Sequence, residues 1–437
     1  MASATEEPAA ASGRRTTGLA IGGRIANAGL AFAIGAIIAR ALGPEGRADY
    51  AIAATVATGA FALTNLGLDN GVFWAVSERR VGRRRLLRAL ARPALVSATA
   101  GLVVFAVAAA ALLRGQAIPV IVAAALMLPP LLGMLALTSI LYTTGDARTP
   151  TLAMIVSAVT QLSAVTAVVL LSTLTPTLVL LISAGAQLAG MSVMVRAVAR
   201  SPVGDDGEPI GRWEIVRVGL ELTPGKFAFW LTQRADVVVV SQLASRHDLG
   251  LYSLGVTLSE TMLLTTDAIA VAALGRQASG DRANTAQRSG ELATVCAMIA
   301  AVELVALAAL GTPMIRLAFG SQWSGTFPIA LTLGVGIVGS AYYRPLSAAF
   351  VRAERRRLLS VIGTAGGAIN IVVAIALVPA LGAVGAAIGS SVAYGFMASA
   401  GAYTARRDLG VPVWAPPRRH TTPAAPTSEG DHPGGKT

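Results

Sequence analysis

Apolar residues in this chain come in runs of about twenty or more, not in alternation and not in narrow stripes. Runs of that length cross a hydrocarbon core about 30 Å thick as α-helices. The missing polar alternation argues against barrel strands. Polar breaks divide the chain into twelve such stretches. In the first half they cover residues 18–39, 50–76, 92–113, 117–142, 150–172 and 176–199. In the second half they cover 214–242, 249–274, 290–311, 326–350, 358–379 and 382–405. The first run is too long for the apolar region of a secretory signal and contains Arg24, so it reads as a retained span. The expected fold is an all-α polytopic membrane protein of about twelve transmembrane helices in two six-helix lobes. The boundaries that follow are a disordered cytoplasmic tail over 1–17, an N-lobe over 18–199, a cytoplasmic linker over 200–213, a C-lobe over 214–405 and a disordered cytoplasmic tail over 406–437.

Composition agrees with the pattern. Of 437 residues, 54% are hydrophobic and 13% charged, and mean hydropathy is +0.64. A soluble surface usually needs about 25% charged residues. The net charge of +12 raises the question of nucleic acid, and its distribution answers no. With the N-terminus placed inside, 24 of the 35 lysines and arginines fall in the inner loops and tails, among them the cluster Arg79, Arg80, Arg83, Arg84, Arg85 and Arg88. Only Arg40, Arg47, Arg114, Arg246 and Arg316 lie in outer loops. That asymmetry expects both termini of a multi-pass plasma membrane protein in the cytoplasm. Trp213, Trp323, Tyr142 and Tyr403 fall near span ends, as in an aromatic belt. A lone cysteine, Cys296, and scattered His247, His420 and His432 supply no metal-ligand spacing. Short loops leave no room for an extramembrane catalytic domain, and no nucleotide-binding loop occurs, so no enzyme and no cofactor are expected.

The two halves echo one another. "RALGPEGRADYA" at 40–51 and "SQLASRHDLGLYSL" at 241–254 both join paired apolar runs, with Tyr50 and Tyr252 opening the second run of each pair. Farther on, Asp146 and Arg148 match Glu354 and Arg356 at a similar offset. A repeat of six spans keeps both copies in one orientation, related by an axis along the membrane normal, with substrate between the lobes.

These stretches resemble the polysaccharide flippase family of the MOP superfamily (multidrug, oligosaccharidyl-lipid and polysaccharide exporters). The family's first hairpin, R-x-L-G-P-E-x-x-G-x-Y, stands here as Arg40, Leu42, Gly43, Pro44, Glu45 and Tyr50, with Ala48 at the later glycine and a glycine at Gly46 instead. Asp236 followed by "LGLYSLG", and "VPALGAVGAAIGSS" at 378–391, continue the likeness over roughly residues 18–405. As motifs these are turn and packing features, with Gly43-Pro44 turning the chain and Tyr50 expected at the membrane interface. The resemblance implies a MATE-like parallel repeat and alternating-access flipping of an anionic lipid-linked oligosaccharide on an undecaprenyl pyrophosphate carrier, for cell-surface polysaccharide such as lipopolysaccharide, in company with polysaccharide polymerase machinery. Other branches export cationic drugs or flip the peptidoglycan precursor, and these are the alternative readings.

Charges inside spans cost on the order of 3 kcal/mol at mid-bilayer, so each should face a partner or a hydrated cavity. Substrate-binding candidates are Arg24, Asn27, Lys226, Arg234 and Arg344, since guanidinium and ammonium groups suit a pyrophosphate. Lys226 and Arg234 are about 80° apart around their helix, and "TPGK" before them predicts a kink at Pro224-Gly225. Asp236 points about 200° away from Arg234, so those two cannot pair within one helix. Asp69, Glu221, Asp236, Glu260, Asp267 and Glu303 are candidates for coupling to H+ or Na+. Glu260 and Asp267 share one helix face and equally suit neutralisation of cavity arginines.

Overall fold

The computed structural model describes residues 7–79, 81–200, 211–221, 223–277, 282–353 and 355–411. Every regular element among them is helical. In order they are α1 (Glu7–Thr64), α2 (Leu68–Arg79), α3 (Arg83–Leu112), α4 (Ile118–Leu126), α5 (Leu128–Thr143), α6 (Arg148–Leu171), α7 (Pro176–Ala199), α8 (Arg212–Leu220), α9 (Thr223–Leu243), α10 (Arg246–Gln277), α11 (Arg282–Ala318), α12 (Thr326–Arg352), α13 (Arg356–Leu381) and α14 (Ala383–Leu409), with a 3₁₀ turn at Ser321–Trp323 before α12.

Breaks occur where the backbone demands them. Helix α1 is two arms meeting at Gly43, whose φ of 66° and ψ of 178° a side chain would resist. Pro44 then opens the second arm, where a missing N–H costs nothing. The stretch expected as one span over 50–76 is broken at 65–67, where Leu66 and Gly67 adopt positive φ and the Asn65 side chain accepts from the Gly67 amide at 2.8 Å. The span expected over 117–142 is likewise divided, at Met127, just ahead of Pro129 and Pro130. The kink expected at Pro224-Gly225 lies just before it, between α8 and α9, with Pro224 in the first turn of α9. The basic stretch expected as a loop at 79–88 is mostly the first turns of α3. There Arg83 donates to the Thr144 hydroxyl at 2.8 Å and lies 3.7 Å from Asp146. Burial works against the Asp146 charge, but the amide and hydroxyl of Thr149, with Arg83, hold its carboxyl below the usual range. Helix α1 already begins at Glu7, upstream of the expected first span. Most of the expected linker and C-terminal tail, 201–210 and 412–437, lies outside the described residues.

Nine helical stretches among the described residues are long and apolar enough to cross a membrane. The difference from twelve has a physical origin. One stretch, Ala26–Thr64, contains parts of both arms of α1. Helices α9 and α10 carry Lys226, Arg234 and Asp236, and Asp248, Glu260 and Asp267, which interrupt their apolarity. The protein is an all-α polytopic membrane fold. Its outer surface carries large apolar side chains such as Leu170, Leu171 and Leu317. Hydrocarbon gives no hydrophobic drive between helices, so small residues set their approach. The Gly385 and Gly389 positions press on backbone of α13, and Gly367 presses on Thr232 of α9.

Helices α1 to α7 pack chiefly on one another, and so do α9 to α14. Helix α1 joins the groups by packing on α10 and α9, with its second arm meeting them at Pro44 and Gly59, and α2 continues the junction by packing on α8. A single buried cluster runs through this seam, from Ala53 and Val56 to Val240, Tyr252 and Trp323.

Candidate functional site

The seam has three zones. At the Gly43 end the two hairpin turns touch through backbone. A β-carbon at Gly250 would sit 2.0 Å from the Pro44 carbonyl oxygen. Arg246 pairs with Asp49, Arg40 donates to the Leu317 carbonyl, and Phe32 meets Phe319 edge-on at 5.7 Å. Midway, Trp230 lies on Gly59, where a β-carbon would come within 2.7 Å of the indole. At the far end the two broken helices meet, Gly67 against the backbone of Gly219 and Gly71 against that of Ile215. Irregular backbone at membrane depth is tolerated where protein covers it in this way.

Between the first two zones lies a cavity of about 180 Å³. Its walls are Arg47, Tyr50, Thr55 and Thr58 of α1, Arg234 and Val237 of α9, and Ser253, Val256 and Thr257 of α10. Two guanidiniums reach it, in different states. Arg234 donates to Glu260 at 3.0 Å, with both carboxylate oxygens at that distance, so its charge is cancelled locally. Arg47 is only 5% exposed. Its Nε donates to Ser253 Oγ at 3.1 Å and its Nη2 to Thr257 Oγ1 at 2.9 Å, and the Trp323 ring lies 6.0 Å from its guanidinium carbon.

Asp236 faces away from this cavity, into the α9–α14 group. Its carboxyl accepts from the Tyr252 hydroxyl at 2.5 Å, the Ser390 hydroxyl at 2.6 Å and the Val237 amide at 2.7 Å. Asn370 adjoins the cluster, with its Oδ1 3.3 Å from Ser390 Oγ and its amide donating to the Thr232 carbonyl at 3.0 Å. Four helices, α9, α10, α13 and α14, are thereby tied to one buried acid.

The other candidates are dispersed. Asn27 is half-buried on the first arm of α1. Asp69 occupies the first turn of α2, where a negative charge complements the helix dipole. Glu221 is exposed at the α8–α9 junction, Glu303 on α11 meets Thr265, and Arg344 is half-buried on α12 beside buried Tyr343. The backbone of Arg24, Lys226 and Asp267 is helical, and their side chains lie outside what is described. Two aromatic expectations change. Trp323 is fully buried beneath Arg47 instead of lying in a belt, because the 3₁₀ turn drops it into the seam. Tyr50 lines the cavity instead of the membrane interface, because the Gly43 turn rotates the second arm toward α10. Trp213 and Tyr403 are exposed, as a belt requires. Arg47 was expected in an outer loop, since a charged residue four positions after a Gly-Pro turn has loop composition. Its signal lay in the matching hairpin, where Ser253 and Thr257 stand one turn apart.

A profile described as "Polysaccharide biosynthesis protein" matches residues 14–274, more than half of the chain. The chain belongs to the polysaccharide biosynthesis protein family. Comparison with curated protein sequences gives no match. Among solved structures, the chain is similar to an inward-facing multidrug resistance MATE family transporter of the MOP superfamily, at 17% identity and TM-score 0.69, covering 87% of this chain and 94% of that one. It is also similar to the lipid II flippase MurJ in an inward closed conformation, at 15% identity and TM-score 0.64, covering 89% and 87%. A third is a MOP superfamily transporter from Pyrococcus furiosus Vc1, described as having a binding pocket of reverse polarity, at 17% identity and TM-score 0.58, covering 91% and 95%. At these identities the likeness is one of fold.

Proposed function

We propose that this protein flips an anionic lipid-linked oligosaccharide, of the undecaprenyl pyrophosphate type, from the inner to the outer leaflet of a bacterial plasma membrane. The carrying observation is the sign of the cavity: two guanidiniums and one carboxylate leave it net positive. The remaining wall is uncharged, with the hydroxyls of Thr55, Thr58, Ser253 and Thr257 and the Tyr50 ring set among Ala51, Ala54, Val237 and Val256. An exporter of cationic drugs, built on the same fold, needs the opposite sign.

In this reading the chain crosses the membrane twelve times. Helices α1–α7 and α8–α14 form two six-span lobes, both termini are cytoplasmic, and the Gly43 turn lies at the outer face. The arginine distribution and the two matching hairpins support that orientation. The contacts at the Gly43 end then close the outer side and those of Gly67 and Gly71 close the inner side, so the far end must part to receive substrate from the inner leaflet. Lobes rock about the seam, and the head group moves through the polar cavity while the polyprenyl tail stays in the bilayer. Glu260 and Asp236 are the coupling acids. A coupling cation taken up at Glu260 frees Arg234, and Asp236 holds α9 in register with α10 and α14. Lys226, Arg24, Asn27 and Arg344 serve the approach from the cytoplasmic side.

The test is flipping of a fluorescent polyprenyl-pyrophosphate saccharide in proteoliposomes, read by chemical quenching of the outer leaflet. Wild type is expected to move the probe, and Arg234→Ala to lower the rate at least tenfold. Export of a cationic dye with no movement of the lipid would overturn the reading.

A further inference from the structure

Resting on the flippase reading, we infer that Arg47 is a phosphate-binding residue of the cavity, and that an anion bound there unlocks the outer seam. A guanidinium stays charged, and a cation removed from water needs an opposite charge close by. Other arginines about the site have one: Arg234 has Glu260 and Arg246 has Asp49. Arg47 is as deeply buried as any, yet its recorded partners among the described residues are two neutral hydroxyls and an aromatic face. Of the two guanidiniums in the cavity wall, it is the one whose charge stands uncancelled.

Those hydroxyls are modest partners by construction. Ser253 Oγ donates to the Gly250 carbonyl at 2.8 Å and Thr257 Oγ1 to the Ser253 carbonyl at 2.9 Å, so each offers Arg47 only a lone pair. Phosphate oxygens bring full charge, and charge-assisted hydrogen bonds are about twice as strong as neutral ones. A phosphate or pyrophosphate entering the cavity therefore takes Nε and Nη2 of Arg47 from α10.

The same two bonds are stitches of the seam, crossing from α1 to α10 one and two turns beyond the Pro44–Gly250 contact. Ligand and seam thus compete for one pair of donors. The anion binds the parted state better because the guanidinium fork is free there, and that difference in affinity is what shifts the population. The cavity is also smaller than the roughly 300–1,000 Å³ of ordinary ligand sites, so a saccharide follows the head group only after the seam parts.

The test uses the full chain in nanodiscs on a Cys296→Ser background, with farnesyl pyrophosphate, inorganic pyrophosphate and farnesol as probes. Spin labels at exposed Ile118 and Leu317 report the separation of the two groups near the Gly43 end. Farnesyl pyrophosphate is expected to bind wild type and lengthen the label distance, with at least tenfold weaker binding to Arg47→Gln and an intermediate loss for Arg47→Lys. The Ser253→Ala/Thr257→Ala variant, which keeps Arg47, is expected to show the longer distance without ligand and to bind at least as tightly. That variant keeps the test alive if Arg47→Gln fails to fold. Inorganic pyrophosphate binding as tightly as the farnesyl ester supports the anion site and assigns it to a free phosphate, whereas a gain from the farnesyl chain assigns it to a lipid. Binding to Arg47→Gln within twofold of wild type, or a short label distance in the double variant, overturns the inference alone. A wild type that binds neither pyrophosphate overturns the flippase reading and this inference together.

Discussion

An acid sealed among four helices must have its lone pairs met one by one, and Asp236 meets them with Tyr252, Ser390 and the Val237 amide. Replacing it by alanine strands two buried hydroxyls and removes the point where α9, α10 and α14 converge. Asp236→Ala is expected to cost about 3 kcal/mol and Asp236→Asn, which keeps one acceptor oxygen, about half of that. Thermal unfolding in detergent reads both, and equal stability of the two variants would show the cluster to be incidental. At this scale the sequence was partly legible. Helical angles alone separate Asp236 from Arg234, and the structure turns them in different directions. Pairing of Glu260 with Arg234 was one of two readings of an acid stripe, and only the approach of α10 to α9 decides for it. Arg47 was not legible, because local composition cannot distinguish a loop cation from one that a turn folds inward.

Helical breaks carry the geometry one scale up. Gly43 divides α1 into two arms, and the break at 65–67 and the end of α8 at Glu221 bring Gly67 against Gly219, so the seam is held at both of its ends by backbone contact. Proline announces some of these breaks, before α9 and at Pro129-Pro130. The one at 65–67 has no proline, and there the Asn65 side chain accepts from the Gly67 amide while the Leu68 amide donates to the Asn65 carbonyl at 3.1 Å. The backbone contact makes a sharp prediction. Gly250→Ala places a β-carbon 2.0 Å from the Pro44 oxygen, with backbone on both sides and no flexible group to yield. The expected cost is about 1–3 kcal/mol of overpacking, together with a longer Ile118–Leu317 label distance. Gly395→Ala, which meets nothing within 4 Å, serves as the control and is expected to leave both readings unchanged. A Gly250→Ala protein indistinguishable from that control would contradict the packing of the two hairpins.

For the whole molecule, fold class was the most legible property, because run length in the membrane is set by bilayer thickness and every span must satisfy its own backbone. Function depends on the charge of a small space between two helix groups, which no single run encodes. A larger groove of about 470 Å³, lined by Leu102, Phe105, Ile121 and Val122 of α3 and α4, offers a rival path on one side of the molecule. The central claim is that the anionic head group passes through the Arg47–Arg234 cavity. It is tested most directly by irradiating a polyprenyl pyrophosphate with a photoreactive group beside the phosphates in proteoliposomes, then mapping the labelled peptides by mass spectrometry. Labels confined to residues 47–58 and 234–257, and displaced by unlabelled pyrophosphate lipid, are the predicted result. Labels concentrated on residues 102–125 of α3 and α4 would contradict the account.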